Sequence, residues 1–161
     1  MSTFENNDYK WRETYFVMFD AARRPSLEQV KTRLAKLNPR FVLSNGEADD
    51  DGRFDSITIR SPQDYAAMDI SYESGDEVAE QVSDLQQELK GGLDAADRPK
   101  FEKLGRCNAK LDVLHFEQLG GENGDEEEGD MLDPSALLSV MDTLVEITHG
   151  VGIDPQSGSL M

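Results

Sequence analysis

Two periodicities of apolar residues alternate along the chain and predict a protein that mixes α-helices with β-strands. Residues typical of strands, either alternating or continuously apolar, occupy six segments: 14–20, 40–44, 54–60, 65–72, 109–119 and 151–153. Apolar residues at helical spacing follow three start signals, which are Ser26, Ser74 and Asp133, and a shorter helix is predicted at 97–104.

The order of these elements predicts the fold class. Several predicted strands follow one another without an intervening helix, which favours an antiparallel sheet over a parallel one. We therefore expect an α+β fold in which helices pack on one face of an antiparallel sheet. The best-fitting architecture is a ferredoxin-like two-layer sandwich with an extra C-terminal helix.

Two helix starts show the spacing of a capping box, in which a Ser side chain and a Gln or Glu three residues later bind each other's backbone N–H groups. Ser26 with Gln29 forms the first, and Ser74 with Glu77 forms the second. The third helix starts differently, because Asp133 precedes Pro134 at the first helical position.

The first strand is apolar on both sides, which a two-layer sandwich does not explain. Tyr15, Val17 and Phe19 alternate with Phe16 and Met18. Helices on one face of the sheet would cover only one of these sets. We therefore expect Phe16 and Met18 to be covered either by the last helix, whose apolar arc is wide, or by a second copy of the chain.

The predicted domain organisation is a core at 1–119, a linker at 120–132 and a C-terminal helix with a short tail at 133–161. The linker contains Gly, Asp, Glu and Asn without a large apolar residue until its end, so we expect it to be flexible and to act as a solvated spacer. The tail is expected to pack on the same domain.

Charge is distributed unevenly and bears on the choice of partner. Residues 1–46 carry eight Lys or Arg and five Asp or Glu, whereas residues 47–161 carry eight and twenty-eight, so the net charges are +3 and −20. Most of the surface should repel nucleic acid and anionic lipid and attract basic proteins. The candidate partner-binding residues are Phe16 and Met18 with the neighbouring basic pair Arg23 and Arg24.

Other features narrow the class of protein. Cys107 is the single cysteine, so the chain has no internal disulfide, and the N-terminal residues lack the apolar segment of a signal peptide. We expect a cytoplasmic protein without a membrane span or a cofactor. His115 and His149 lack the spacing of a zinc motif, and we interpret them as a core histidine and a helix-end histidine.

One loop resembles a cation-binding sequence in its first half. Glu47, Asp49 and Asp51 fall at alternate positions before Gly52, and Asp55 falls at the ninth position. Thr58 stands at the twelfth, where a calcium loop needs a bidentate Glu. We therefore interpret the segment as a hairpin turn and predict no calcium binding at physiological concentration, with weak divalent-cation binding as the alternative.

The sequence favours a small, acidic, non-enzymatic binding or regulatory protein that acts through protein–protein contacts. An enzyme that uses a pair of carboxylates in a cleft stays open as an alternative. The acids on or beside predicted strands are the first candidates for such a pair: Asp20, Asp55, Asp69 and Asp112.

Overall fold

The computed structural model describes residues 9–62, 66–91, 95–118, 135–154 and 159–160. Within them the protein is α+β, as the sequence predicts, with a single antiparallel sheet and four α-helices. The predicted linker at 120–132 lies outside the described residues.

The strands and helices have the following bounds. The strands are β1 Tyr9–Phe19, β2 Val42–Ala48, β3 Phe54–Ser61, β4 Ala66–Ser74, β5 Ala109–Gln118, β6 Val151–Asp154 and the two-residue β7 Ser159–Leu160. The helices are α1 Leu27–Leu37, α2 Asp76–Leu89, α3 Arg98–Leu104 and α4 Ser135–Thr148, and a short 3-10 helix spans Ala21–Arg23.

The sheet has the order β2-β3-β4-β5-β1-β6-β7, and every neighbouring pair is antiparallel. β1 lies between β5 and β6, so its apolar C-terminal half is central in the sheet and can be covered on both faces. It is longer than the sequence predicts, because its polar first half also pairs with β5, from Tyr9 opposite Gln118. A bulge between Trp11 and Glu13 interrupts that pairing.

Helices α1 and α4 pack on one side of the sheet, here called the α1–α4 face. Val17 and Phe19 of β1 belong to the same buried cluster as Val30 and Leu34 of α1. The α4 side chains that join this cluster are Ala136, Leu137, Val140, Met141 and Leu144. The wide apolar arc of α4 therefore contacts both the sheet and α1.

The opposite side, the α2–α3 face, carries a second buried cluster. Met18 packs there with Val78 and Val82 of α2, with Leu104 of α3 and with β6 and β7, and Phe16 packs against its edge. The expectation that helices occupy one face is therefore wrong, since four helices divide between two faces. Phe16 and Met18 pack with residues of α2 and α3 and of the neighbouring strand β6, rather than with the last helix. An amphipathic stripe shows that a helix packs, but it does not specify the face.

The two predicted capping boxes have different outcomes. The Ser26 side chain accepts a hydrogen bond from the Gln29 N–H at 3.0 Å and starts α1 as expected. The Ser74 cap is wrong, because Ser74 is the last residue of β4 and Gly75, at φ 116°, precedes α2 without a side-chain cap. That positive φ favours glycine and makes the sharp exit from the strand.

Candidate functional site

The α2–α3 face is apolar in its centre and polar beyond β5. Residues directly opposite each other in antiparallel strands point to the same side. Phe16 is opposite Asp112, which is opposite Ser71, which is opposite Ser56, so all four side chains lie on the α2–α3 face. By the same register, Leu114, Asp69 and Thr58 form the next row.

This polar part of the face forms an open concavity of about 340 Å³, here called the polar cavity. Its polar lining consists of Asn45, Glu47, Ser56, Thr58, Asp69 and Ser71. Leu114 provides an apolar platform between them. The described lining contains two carboxylates, three hydroxyls and an amide, and it contains neither Lys nor Arg.

The local backbone explains how the edge strand contributes to the cavity. Asn45 adopts φ 54°, a left-handed conformation that Asn tolerates better than most residues. The pairing of β2 with β3 shifts between Ser44 and Glu47, and this bulge brings Glu47 opposite Ser56. The irregular edge thus curves around the cavity and presents a carboxylate to it.

Asp69 and Asp112 have different environments on this face. The hydroxyl of Thr58 donates a 2.9 Å hydrogen bond to Asp69 Oδ1 and holds that carboxylate in place. Asp112 lies nearer the apolar centre, and burial raises its pKa above the ordinary value, while Lys110 opposes the shift. The Lys110 ammonium is 3.1 Å from Asp112 and 3.4 Å from Glu73, and it lies 5.0 Å from the centre of the Phe16 ring.

Two of the four carboxylates that the sequence singled out therefore share the polar side of the sheet. Asp69 and Asp112 are diagonal neighbours on β4 and β5, a relation that places Cα atoms about 7–8 Å apart. Asp20 instead accepts a hydrogen bond from the Ala22 N–H at the start of the 3-10 helix, and Asp55 binds Arg24. Neither of these two lines the polar cavity.

Arg24 binds the loop at 47–55, here called the acidic loop, through two of its carboxylates. Its guanidinium is 2.6 Å from Asp55 Oδ1 and 3.2 Å from Asp49 Oδ2, and it donates to the Phe54 carbonyl at 2.9 Å. It also stacks 3.9 Å from the centre of the Tyr72 ring. A partner-binding role was predicted for this residue, but its side chain is only 12% exposed and its donors bind this loop.

The predicted cation-binding residues do not form one site, since Asp49 and Asp55 meet at the Arg24 guanidinium. Asp49 accepts hydrogen bonds from the Asp51 and Arg53 N–H groups, both at 2.9 Å, so it closes the turn. The backbone hydrogen bond from Arg53 is the largest cause that lowers the pKa of Asp49. The hydrogen bond from Asp51 and the charge of Arg24 lower it further. Glu47 lines the polar cavity instead. In the described ranges, no three His, Cys, Asp or Glu side chains are arranged to hold a metal ion.

The other predicted site residues are distributed over three environments. Met18 is fully buried and Phe16 is half-buried on the α2–α3 face, whereas Arg23 is exposed at the end of the 3-10 helix. Cys107 is buried, and this burial raises its pKa to about 11, which disfavours the nucleophilic thiolate. No helix in the described part of the chain is long and apolar enough to cross a membrane.

Sequence reasoning missed the hydroxyl residues of the polar cavity. Ser56, Thr58 and Ser71 alternate with Ile57, Ile59 and Ile70 along β3 and β4, and that alternation marks one apolar and one polar face. The signal was present in each strand. Joining the strands into one surface requires the register, which no single strand encodes.

Comparison of the chain with protein families, with characterised proteins and with solved structures finds no match.

Proposed function

We propose that this protein is a non-enzymatic binding protein, and that the polar cavity on the α2–α3 face docks a basic segment of a protein partner. The main support for this proposal is the concave sheet face, whose described lining has two carboxylates and neither Lys nor Arg. A chain of net charge −17 attracts basic partners at long range, and the cavity provides a place where Lys or Arg side chains find oriented acceptors.

The geometry supports recognition of an extended segment. Asp69 accepts a hydrogen bond from Thr58, which fixes the position of its negative charge at the cavity lining. Leu114 lies in the same row and contacts the aliphatic part of an incoming Lys or Arg side chain. The single cysteine is a free, buried thiol, which fits a cytoplasmic location.

Binding of a fluorescein-labelled peptide of alternating Lys and Ser tests this proposal, with the alternating Glu and Ser peptide as the ligand control. Asp69→Asn should weaken binding of the basic peptide about tenfold, because one charge-assisted hydrogen bond is lost. Asp142→Asn is the matched variant, since it removes an exposed acid from α4 on the other face and should leave the affinity unchanged.

Two further measurements separate docking from bulk attraction. The affinity should fall with salt, and amide NMR shifts caused by the peptide should be centred on Ser56, Asp69, Ser71 and Leu114. Equal weakening by Asp69→Asn and Asp142→Asn, or shifts spread evenly over the surface, would show that only net charge attracts the peptide and would contradict the proposal.

The alternative function, an enzyme with a carboxylate pair, is favoured by one observation. Asp69 and Asp112 lie on the same face, and burial raises the pKa of Asp112, as is needed for a general acid beside an ionised partner. This alternative predicts that a bound peptide is chemically changed. Mass spectrometry of the peptide after prolonged incubation distinguishes the two functions, because a binding protein returns it intact.

A further inference from the structure

The row of side chains next to the polar cavity contains an arginine without an acidic partner. Arg60 lies two residues from Thr58 on β3, so its side chain starts on the same α2–α3 face. The residue is half-buried, and its Nε atom is buried without a hydrogen-bond partner. None of the ion pairs between described residues includes Arg60.

This lack of an acidic partner is unusual in a chain that has 33 acidic and 16 basic residues. Arg24 binds two carboxylates, and Arg33 binds Glu146. A guanidinium that is partly withdrawn from water and leaves a buried N–H unbonded costs free energy. A carboxylate supplied by a ligand removes that cost, because it accepts from the guanidinium and balances its charge.

The Arg60 side chain reaches across the sheet towards β1. Its guanidinium carbon is 5.8 Å from the centre of the Tyr9 ring. The strands β4 and β5 lie between β3 and β1, and the residues in the row of Arg60 on these two strands are Ala67 and Phe116. The short Ala67 side chain leaves room for an arginine to cross. Ala67 is two residues from Asp69 on β4, so the guanidinium borders the polar cavity.

The charged side chains of this face follow one another in successive rows. Glu47 is opposite Ser56 in the first row, Asp69 is opposite Thr58 in the second, and Arg60 occupies the third. Rows on one face of a sheet are about 7 Å apart, which is also the distance between alternate side chains of an extended peptide. A segment that lies along the strands therefore presents alternate residues to two acids and then to one arginine.

We infer that Arg60 determines specificity, because it binds an Asp or Glu side chain of the docked segment. This inference rests on the function proposed above. The recognised pattern is two basic residues at alternate positions with an acid at the next alternate position, and the direction in which the segment lies decides at which end the acid stands. A purely basic segment would leave Arg60 unpaired and would bring like charges together.

The experiment compares peptides with blocked ends in competition with the fluorescein-labelled Lys and Ser peptide. The test peptides are Ser-Lys-Ser-Lys-Ser-Glu-Ser and its reversed sequence, each paired with a version that has Gln in place of Glu. One of the two orders should bind about three- to tenfold more tightly than its Gln version. The chain has a net charge of −17, so bulk attraction alone predicts the opposite order.

A shifted peptide and two variants locate the contact. Ser-Lys-Ser-Lys-Glu-Ser-Ser has the same composition, but its acid points away from the row of Arg60, so it should show no gain over its own Gln version. Arg60→Gln should abolish the preference for Glu. Arg23→Gln is the matched control, because it removes an exposed arginine elsewhere and should keep that preference. Asp69→Asn should weaken the Glu and Gln peptides by the same factor.

The wild type offers a second readout if Arg60→Gln does not fold. Trp11 is the single tryptophan of the chain, is 45% exposed and is opposite Phe116, so it belongs to the row of Arg60. The peptides contain no aromatic residue. Saturation with the preferred Glu peptide should therefore change the Trp11 emission more than saturation with its Gln version.

The outcomes separate this inference from the proposed function. If neither Glu peptide binds more tightly than its Gln version, while Asp69→Asn still weakens the Lys and Ser peptide, the cavity docks basic segments but Arg60 does not select an acid. A Glu preference that survives Arg60→Gln, or an equal Trp11 response to both peptides, would also overturn the role of Arg60. Failure of the proposed function itself appears as equal weakening by Asp69→Asn and Asp142→Asn.

Discussion

The two faces of the sheet are made by the same strands, yet they differ in what their side chains do. On β5, Leu111 and Val113 point to the α1–α4 face and are fully buried, whereas Lys110 and Asp112 point to the α2–α3 face and form ion pairs. Beyond β5, the α2–α3 face carries hydroxyls and acids, which offer no apolar surface for a helix to bury. Alternation within β3 and β4 thus places the core isoleucines on one face and the polar residues of the cavity on the other.

The largest test of this comparison uses two leucines of one strand. Leu111→Ala should lower the free energy of unfolding by about 2–5 kcal/mol, because it removes a fully buried side chain from the α1–α4 face. Leu114→Ala removes the same atoms from a half-buried position at the polar cavity and should cost about 1 kcal/mol or less. Urea unfolding of both variants measures the difference, and equal losses would show that both faces support the core alike.

A second test concerns the residue that ties the acidic loop to the α1–α4 face. Arg24→Ala should cost about 1–3 kcal/mol, since it removes contacts to Asp49 and Asp55 and the stack on Tyr72. Arg23→Ala is the control, because the preceding arginine is exposed, and it should change stability by less than about 0.5 kcal/mol. A similar loss in both variants in thermal unfolding would mean that only the net charge matters.

Local sequence predicted the elements better than their arrangement. The Ser26 cap, the β5 segment and the short helix near 98–104 depend on neighbouring residues, and all three are found. The first half of β1 was missed, because Lys10, Arg12 and Glu13 hide a strand whose pairing is interrupted by a bulge. The distribution of helices over two faces depends on how the connections run, which no amphipathic stripe encodes.

The candidate site was predictable in part for the same reason. Asp69, Asp112 and Asp55 were singled out because they lie on predicted strands. Asp55, however, forms an ion pair with Arg24 and does not line the polar cavity. Which of these acids face each other follows from the register of β4 with β5, a long-range property. Arg24 contacts Asp49 and Asp55 from 25 and 31 residues away in sequence, and no local pattern indicates that contact.

The smallest expected effects depend on pH and concern two acids. Asp112 lies on the α2–α3 face, and Asp49 lies in the acidic loop that Arg24 ties to the α1–α4 face. Burial raises the pKa of Asp112, so the folded state holds that proton more tightly than the unfolded chain. Relative to Asp112→Asn, the wild type should therefore gain stability as pH falls from neutral through the raised pKa.

Asp49 behaves oppositely, because backbone hydrogen bonds from Arg53 and Asp51 and the charge of Arg24 lower its pKa. Relative to Asp49→Asn, the wild type should be more stable above the ordinary carboxyl pKa and lose that advantage as pH falls through the lowered one. Urea unfolding of the three proteins between neutral and acid pH, with NMR titration of both carboxyls, measures the signs. Differences of the same sign would mean that burial of Asp112 and hydrogen bonding of Asp49 do not shift the two pKa values in opposite directions.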